Sequence, residues 1–132
     1  MYLRIRKSAA AVRRREPANT RYRFYICRSE REGTRVTRRD LAYVRGTTDK
    51  DMATLANVAR VYRDLDAALD KVGATDDDRA AILASMARWC PRPDAAAVQA
   101  EIDRRNAEFA DFYRRYEAAH RRGGGTPGPV AE

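Results

Sequence analysis

Apolar and polar side chains alternate from the start of the chain. In Tyr2 to Lys7, Tyr2, Arg4 and Arg6 alternate with Leu3, Ile5 and Lys7, the period-two pattern of a half-buried strand with a basic outer face. The alternation fades over Ser8 to Thr20, where an alanine run, the triplet Arg13-Arg14-Arg15 and then Glu16-Pro17-Ala18-Asn19 predict an exposed basic connection. It returns over Arg21 to Ser29, with Tyr22, Phe24 and Ile26 on one face and Arg21, Arg23, Tyr25 and Cys27 on the other. Glu30-Arg31-Glu32-Gly33 supplies turn chemistry, and Thr34 to Arg45 returns as a third strand through Val36, Leu41, Tyr43 and Val44, closed by Gly46. The apolar phase of that strand shifts between Val36 and Leu41, which predicts a bulge or an edge.

Beyond Gly46 the period lengthens. Thr48 with Asp51 reads as a capping box, and Met52, Leu55, Ala59, Tyr62, Leu65, Leu69 and Val72 recur at steps of three and four, so one helix is expected up to a C-cap at Gly73. Thr75 with Asp76, Asp77 and Asp78 caps a second helix whose stripe is Ile82, Leu83, Met86 and Trp89, ending before Pro91. The acidic triplet is helix capping rather than a metal site, because consecutive first-turn residues point to different sides. Asp94 opens a long third helix marked by Val98, Ile102, Phe109, Phe112, Tyr113 and Tyr116, which packs back or pairs with another chain. The end, from Gly123 on, carries four glycines, two prolines and nothing to bury, and is expected to be disordered.

The fold expected is α+β: an antiparallel sheet of about three strands followed by three α-helices, with the first helix covering the apolar face. Residues 1–46 form the basic sheet portion, 47–122 the helical portion of the same domain, and 123–132 the tail. The expected core is Tyr22, Phe24, Ile26, Leu41, Leu55, Tyr62, Leu69, Ile82, Met86, Trp89 and Phe109.

Charge changes this picture more than composition does. Met1 to Gly46 holds 14 Lys+Arg against 4 Asp+Glu, and residues 47–132 hold 13 against 15. The positive charge therefore belongs to the front third, a footprint of a surface for phosphates, anionic lipid heads or an acidic protein partner. Of those cations only Lys7 is lysine; the arginine fork can bind a phosphate or a guanine edge bidentately. No stretch nears the ~20 apolar residues of a membrane span. The first fifteen residues are arginine-rich and acid-free, as a transit peptide is, but the alternation in Tyr2 to Lys7 speaks for a strand. A cytoplasmic protein with no membrane contact is expected.

Catalytic chemistry finds little foothold. The chain has no nucleophile elbow, P-loop or zincin motif. Cys27 and Cys90 lack metal-ligand spacing, and the lone histidine, His120, lies far away in sequence. Asp64, Asp66 and Asp70 read as solvated helix-face carboxylates. No enzyme, metal or cofactor is expected.

The candidate surface is the basic front: Arg4, Arg6, Arg13, Arg14, Arg15, Arg21, Arg23, Tyr25, Arg35, Arg38 and Arg39, with strands two and three placing Arg21, Arg23 and Tyr25 beside some of the last three. Arginines at those positions would neutralise phosphates, while Tyr25 and Tyr43 either pack on the core, the commoner role of such rings, or stack on bases. The segment Arg21 to Gly46, RYRFYICRSEREGTRVTRRDLAYVRG, resembles the amino-terminal β-hairpin of bacterial DDE-type insertion-sequence transposases: an aromatic strand, a polar turn with Gly, a basic strand and a closing apolar-Tyr-apolar-x-Gly. The resemblance implies the DNA-binding portion of a mobile-element protein, or a stand-alone relative, without the large RNase H-like catalytic domain and without any catalytic residue. The expectation is thus a non-enzymatic nucleic-acid-binding accessory protein of a bacterium or mobile element, with DNA ahead of RNA. The rival is a protein-interaction or oligomerisation module, including a phage- or plasmid-borne inhibitor, acting through its basic face or through its long last helix, where a homodimer or a protein partner would form.

Overall fold

The computed structural model describes residues 1–9 and 19–122; the expected connection at Arg13, Arg14 and Arg15 and the expected disordered tail lie outside the described residues. Three strands, β1 (Tyr2–Ala9), β2 (Thr20–Glu32) and β3 (Arg35–Thr48), form one antiparallel sheet in the order β1-β2-β3. Four helices follow: α1 (Asp49–Met52), α2 (Leu55–Lys71), α3 (Asp76–Trp89) and α4 (Ala95–Arg122). The chain divides into two compact units, Met1–Asp94 and the unit that begins at Ala95 and contains α4. The α+β class expected from the sequence is the one observed.

The strands run longer than the hydrophobic alternation alone marks. Glu32 pairs with Arg35, so a two-residue turn, Gly33-Thr34, closes the hairpin. Gly33 sits there at φ 61, the positive value that primed hairpin turns require because their twist matches that of the strands. β3 continues through Gly46 to Thr48, because Gly46 pairs with Arg23 and Thr48 with Arg21. β3 is an edge strand, as expected, and its register against β2 shifts twice, at and beyond the end of the expected stretch from Val36 to Leu41. The extra residues are Val44, between the partners of Phe24 and Tyr25, and Leu41, between the partners of Ile26 and Cys27.

The core lies between one face of the sheet and two helices. Phe24 and Ile26 from β2 meet Val58, Val61, Tyr62, Leu65, Ala68 and Leu69 from α2 and Ile82 and Met86 from α3. Cover thus comes from α2 and α3 together, not from the first helix alone. Tyr22, Leu41 and Trp89 pack against this cluster partly buried, and Trp89 meets Tyr22 and Phe24 edge-on at 4.9 and 5.3 Å between ring centroids. The Tyr62 hydroxyl donates to the Cys90 carbonyl at 2.6 Å, tying α2 to the end of α3.

Three expectations need correction. The single helix from Thr48 to Gly73 is broken at Ala53-Thr54. The Asp51 carbonyl accepts from the backbone N–H and hydroxyl of Thr54 and from the Asn57 amide, so local side-chain donors compete for the acceptor that a continuing helix would use. Leu55 is consequently a helix-end residue, exposed one turn before the first buried position, Val58. Phe109 is exposed as well, at 62%: its stripe is real, but it is not covered. The two side-chain caps are as expected, with Thr48 accepting from the Asp51 N–H at 3.2 Å and Thr75 from the Asp78 N–H at 3.1 Å.

Candidate nucleic-acid interface

Because residues opposite one another across a sheet point to the same side, the register assigns every strand residue to a face. On the face opposite the core, β2 presents Arg21, Arg23, Tyr25, Cys27, Ser29 and Arg31; β1 presents Tyr2, Arg4 and Arg6; β3 presents Arg38, Asp40, Tyr43 and Gly46. Six arginines thus share a face with one strand carboxylate. Arg6 stands directly opposite Arg23, an arrangement that destabilises a sheet unless an anion sits between the two charges. Among the described residues, Arg6, Arg21, Arg23 and Arg31 have no ion pair.

Two tyrosines occupy the middle of this face. Tyr25 and Tyr43 are cross-strand partners with ring centroids 5.4 Å apart, and the Arg4 guanidinium lies 5.6 Å from the Tyr25 centroid, within cation-π range. Tyr43 is 57% exposed. Its phenol lies over Gly46, so closely that a Cβ there would meet Tyr43 Oη at 2.9 Å; glycine is what allows the ring to lie down on the strand. Beside it, Arg21, Arg23, Gly46, Thr48 and Asp51 line an open cavity of about 300 Å³. The cavity offers two unpaired guanidinium groups to an anion, with the Asp51 carboxylate on its rim.

Asp40 is the one acidic strand residue in this cluster. Its Oδ1 lies 3.9 Å from Arg4 Nη1 and 3.6 Å from Arg38 Nε, and it accepts from the Cys27 thiol at 3.1 Å. Cys27 is therefore on the side the alternation predicts, yet it is fully buried. Burial, then the hydrogen bond to Asp40 and the Asp40 charge, push its pKa up to about 11, so the thiol stays protonated and is a poor nucleophile at neutral pH.

The outer half of the hairpin separates from this cluster. β1 pairs with β2 no further than Cys27, leaving Arg28–Glu32 and Arg35–Arg39 as a two-stranded arm with all but Glu30 exposed. On this arm Arg35 and Arg39 face away from Arg21 and Arg23, on the side of the sheet that carries the core. Of the three arginines expected to supply some of this face, Arg38 alone joins it, because adjacent strand residues point oppositely. Arg39 reaches Glu30 at 3.4 Å, while Arg28, directly opposite Arg39, is unpaired among the described residues. Of the expected site, the structure brings together Arg4, Arg6, Arg21, Arg23, Tyr25 and Arg38. Asp40 as a counter-charge, the pairing of Tyr43 with Tyr25, and Arg31 are additions that only the register supplies.

The helix carboxylates serve the fold. Asp64 accepts from Arg45 at 2.8 Å, Asp66 from Arg92 at 2.6 Å, and Asp70 from Arg79; each has a guanidinium partner as well as solvent exposure. Among the described residues, no group of three or more His, Cys, Asp or Glu side chains is placed to hold a metal ion, and no helix is long and apolar enough to cross a membrane. No protein-family model, curated protein or solved structure matches the chain.

Proposed function

We propose that the free sheet face binds nucleic acid, DNA first, without catalysing a reaction on it, as an accessory protein of a bacterium or mobile element. The observation that carries this reading is the opposed, uncompensated pair Arg6 and Arg23, set among Arg4, Arg21, Arg31 and Arg38 on one face. Folding brings these like charges together at a cost, and a phosphodiester backbone laid across the face offsets that cost while releasing its counterions. Tyr43 and Tyr25 supply an aromatic surface between the charges on which a base can stack. The choice of DNA is supported by the hairpin's resemblance to the amino-terminal hairpins of insertion-sequence transposases. Most of these contacts position the backbone and carry no sequence information by themselves.

The test is a fluorescence-polarisation titration against short single- and double-stranded DNA and RNA at two salt concentrations. Binding should weaken as salt rises, and replacing Arg6, Arg21, Arg23 and Arg38 by Gln should lower the slope of log K against log salt by up to ~3.6 on duplex DNA, at about 0.9 per phosphate contact. A folded protein that binds none of the four probes at low salt refutes the proposal.

A further inference from the structure

From Asp103 to Arg121 every side chain of α4 except Asp111 is exposed, and among them Phe109, Phe112, Tyr113 and Tyr116 are 62, 60, 49 and 50% exposed. The rings touch one another along the helix: Phe109 on Tyr113 at 4.8 Å, Phe112 on Tyr116 at 6.3 Å, Tyr116 on His120 at 3.9 Å between centroids. A helix in water draws most of its stability from packing an amphipathic face, and this face has none of its aromatic rings covered.

We propose that α4 is a self-association helix that pairs with α4 of a second copy of the chain as a parallel two-stranded coiled coil. Ile102, Asn106, Phe109, Tyr113, Tyr116 and His120 follow one another at steps of four, three, four, three and four, the d-to-a and a-to-d steps of a heptad seam. The charged residues avoid that seam. Arg104 bridges Glu108, and Arg114 and Arg115 bridge Asp111; in this register all five occupy the outer b, c and f positions. The pairs that meet across a parallel dimer from g to e are Val98 with Asp103, Arg105 with Ala110 and Phe112 with Glu117, none of them like-charged. Ala95–Arg122 carries six arginines against five acids, so two copies approach without the repulsion that the basic sheets would exert.

Asn106 selects the parallel arrangement. A single Asn at an a position pairs with its counterpart only when the helices are parallel and in register. The area is adequate: four aromatic side chains of about 200 Å² each, about half exposed, offer roughly 400 to 500 Å² per helix. Two copies, with Ile102 and His120 added, bring the total to the ~1,000 Å² that a specific interface needs.

Sedimentation velocity of the full chain from about 1 to 100 µM tests this, since association is set by mass action. The expected result is a concentration-dependent rise to twice the 15.0 kDa chain mass. It should be lost in a Phe109→Glu, Tyr116→Glu variant whose Trp89 fluorescence melt is unchanged. Ile102→Cys, in a Cys90→Ser background under oxidised glutathione, should cross-link about tenfold faster than the outer-face Arg104→Cys, because of the two only the in-register d position brings two Cβ atoms within disulfide reach. A monomer across the whole range overturns the proposal. So does a dimer that survives the double glutamate change or cross-links equally through either cysteine.

Discussion

Asp40→Asn tests the proposed role of the free face, because it removes the one strand carboxylate on that face and leaves the arginines in place. The carboxylate lies 3.9 Å from Arg4 and 3.6 Å from Arg38, and both pairs are partly exposed, so their loss should cost the fold no more than about 1 kcal/mol each. A phosphate resting on either guanidinium would sit roughly 7 Å from Asp40, where two unit charges repel by about 0.6 kcal/mol in bulk water and ~2.4 at an effective dielectric of 20. With a Debye length of about 8 Å at physiological salt, the lower part of that range applies. Asp40→Asn should therefore bind nucleic acid about 3- to 10-fold more tightly, with a steeper salt dependence. Fluorescence polarisation measures this. The Cys27 thiol serves as an internal check: two of the causes raising its pKa to about 11 are the hydrogen bond and the charge of Asp40, so its alkylation profile should move to lower pH. A thiol that responds while affinity stays constant or falls would refute the placement of nucleic acid on this face.

Three further outcomes follow from the same geometry. Met86 of α3 is fully buried in the core cluster, and Met86→Ala should cost about 2 to 5 kcal/mol in urea unfolding. Burial and Asp40 push the folded Cys27 pKa up to about 11 against 9.0 as the ordinary value; the stability it contributes is thus complete below pH 9 and falls as pH rises through 11, by at most ~3 kcal/mol, and Cys27→Ala should flatten that limb. Gly46→Ala places a Cβ 2.9 Å from Tyr43 Oη, the movable end of a side chain. It should cost under about 1 kcal/mol of stability yet weaken binding to single strands, since the displaced ring no longer offers its face.

The free face was largely legible in the sequence because period-two alternation is a direct consequence of strand geometry. It separates Tyr22, Phe24 and Ile26 from Arg21, Arg23 and Tyr25, and Arg4 and Arg6 from Leu3 and Ile5, as the register does. The phase of β3 was not legible. Leu41 and Val44 are each an extra residue, so Tyr43 and Arg45, two apart, face opposite sides, and nothing in the triplet Thr37-Arg38-Arg39 tells which arginine joins Arg21. The break at Ala53-Thr54 was hidden because Met52 and Leu55 keep the helical period across it, while the cause is hydrogen bonding to a backbone carbonyl. Cys27 sits on the predicted face but under Asp40, a contact between strands that no local pattern encodes. For Phe109, periodicity gives the face of a helix; it does not give what covers it.

The two faces of the sheet can be compared at matched charge. One variant carries Arg6→Gln, Arg21→Gln and Arg23→Gln on the free face; the other carries Arg28→Gln, Arg35→Gln and Arg39→Gln on the opposite side of the hairpin. Both lower the net charge by three, so non-specific attraction falls equally. Titrated against the same DNA at the same salt, the free-face variant should lose at least ~10-fold more affinity than its counterpart, three phosphate contacts being removed from one and none from the other. Equal losses, or a larger loss in the second variant, would contradict the account.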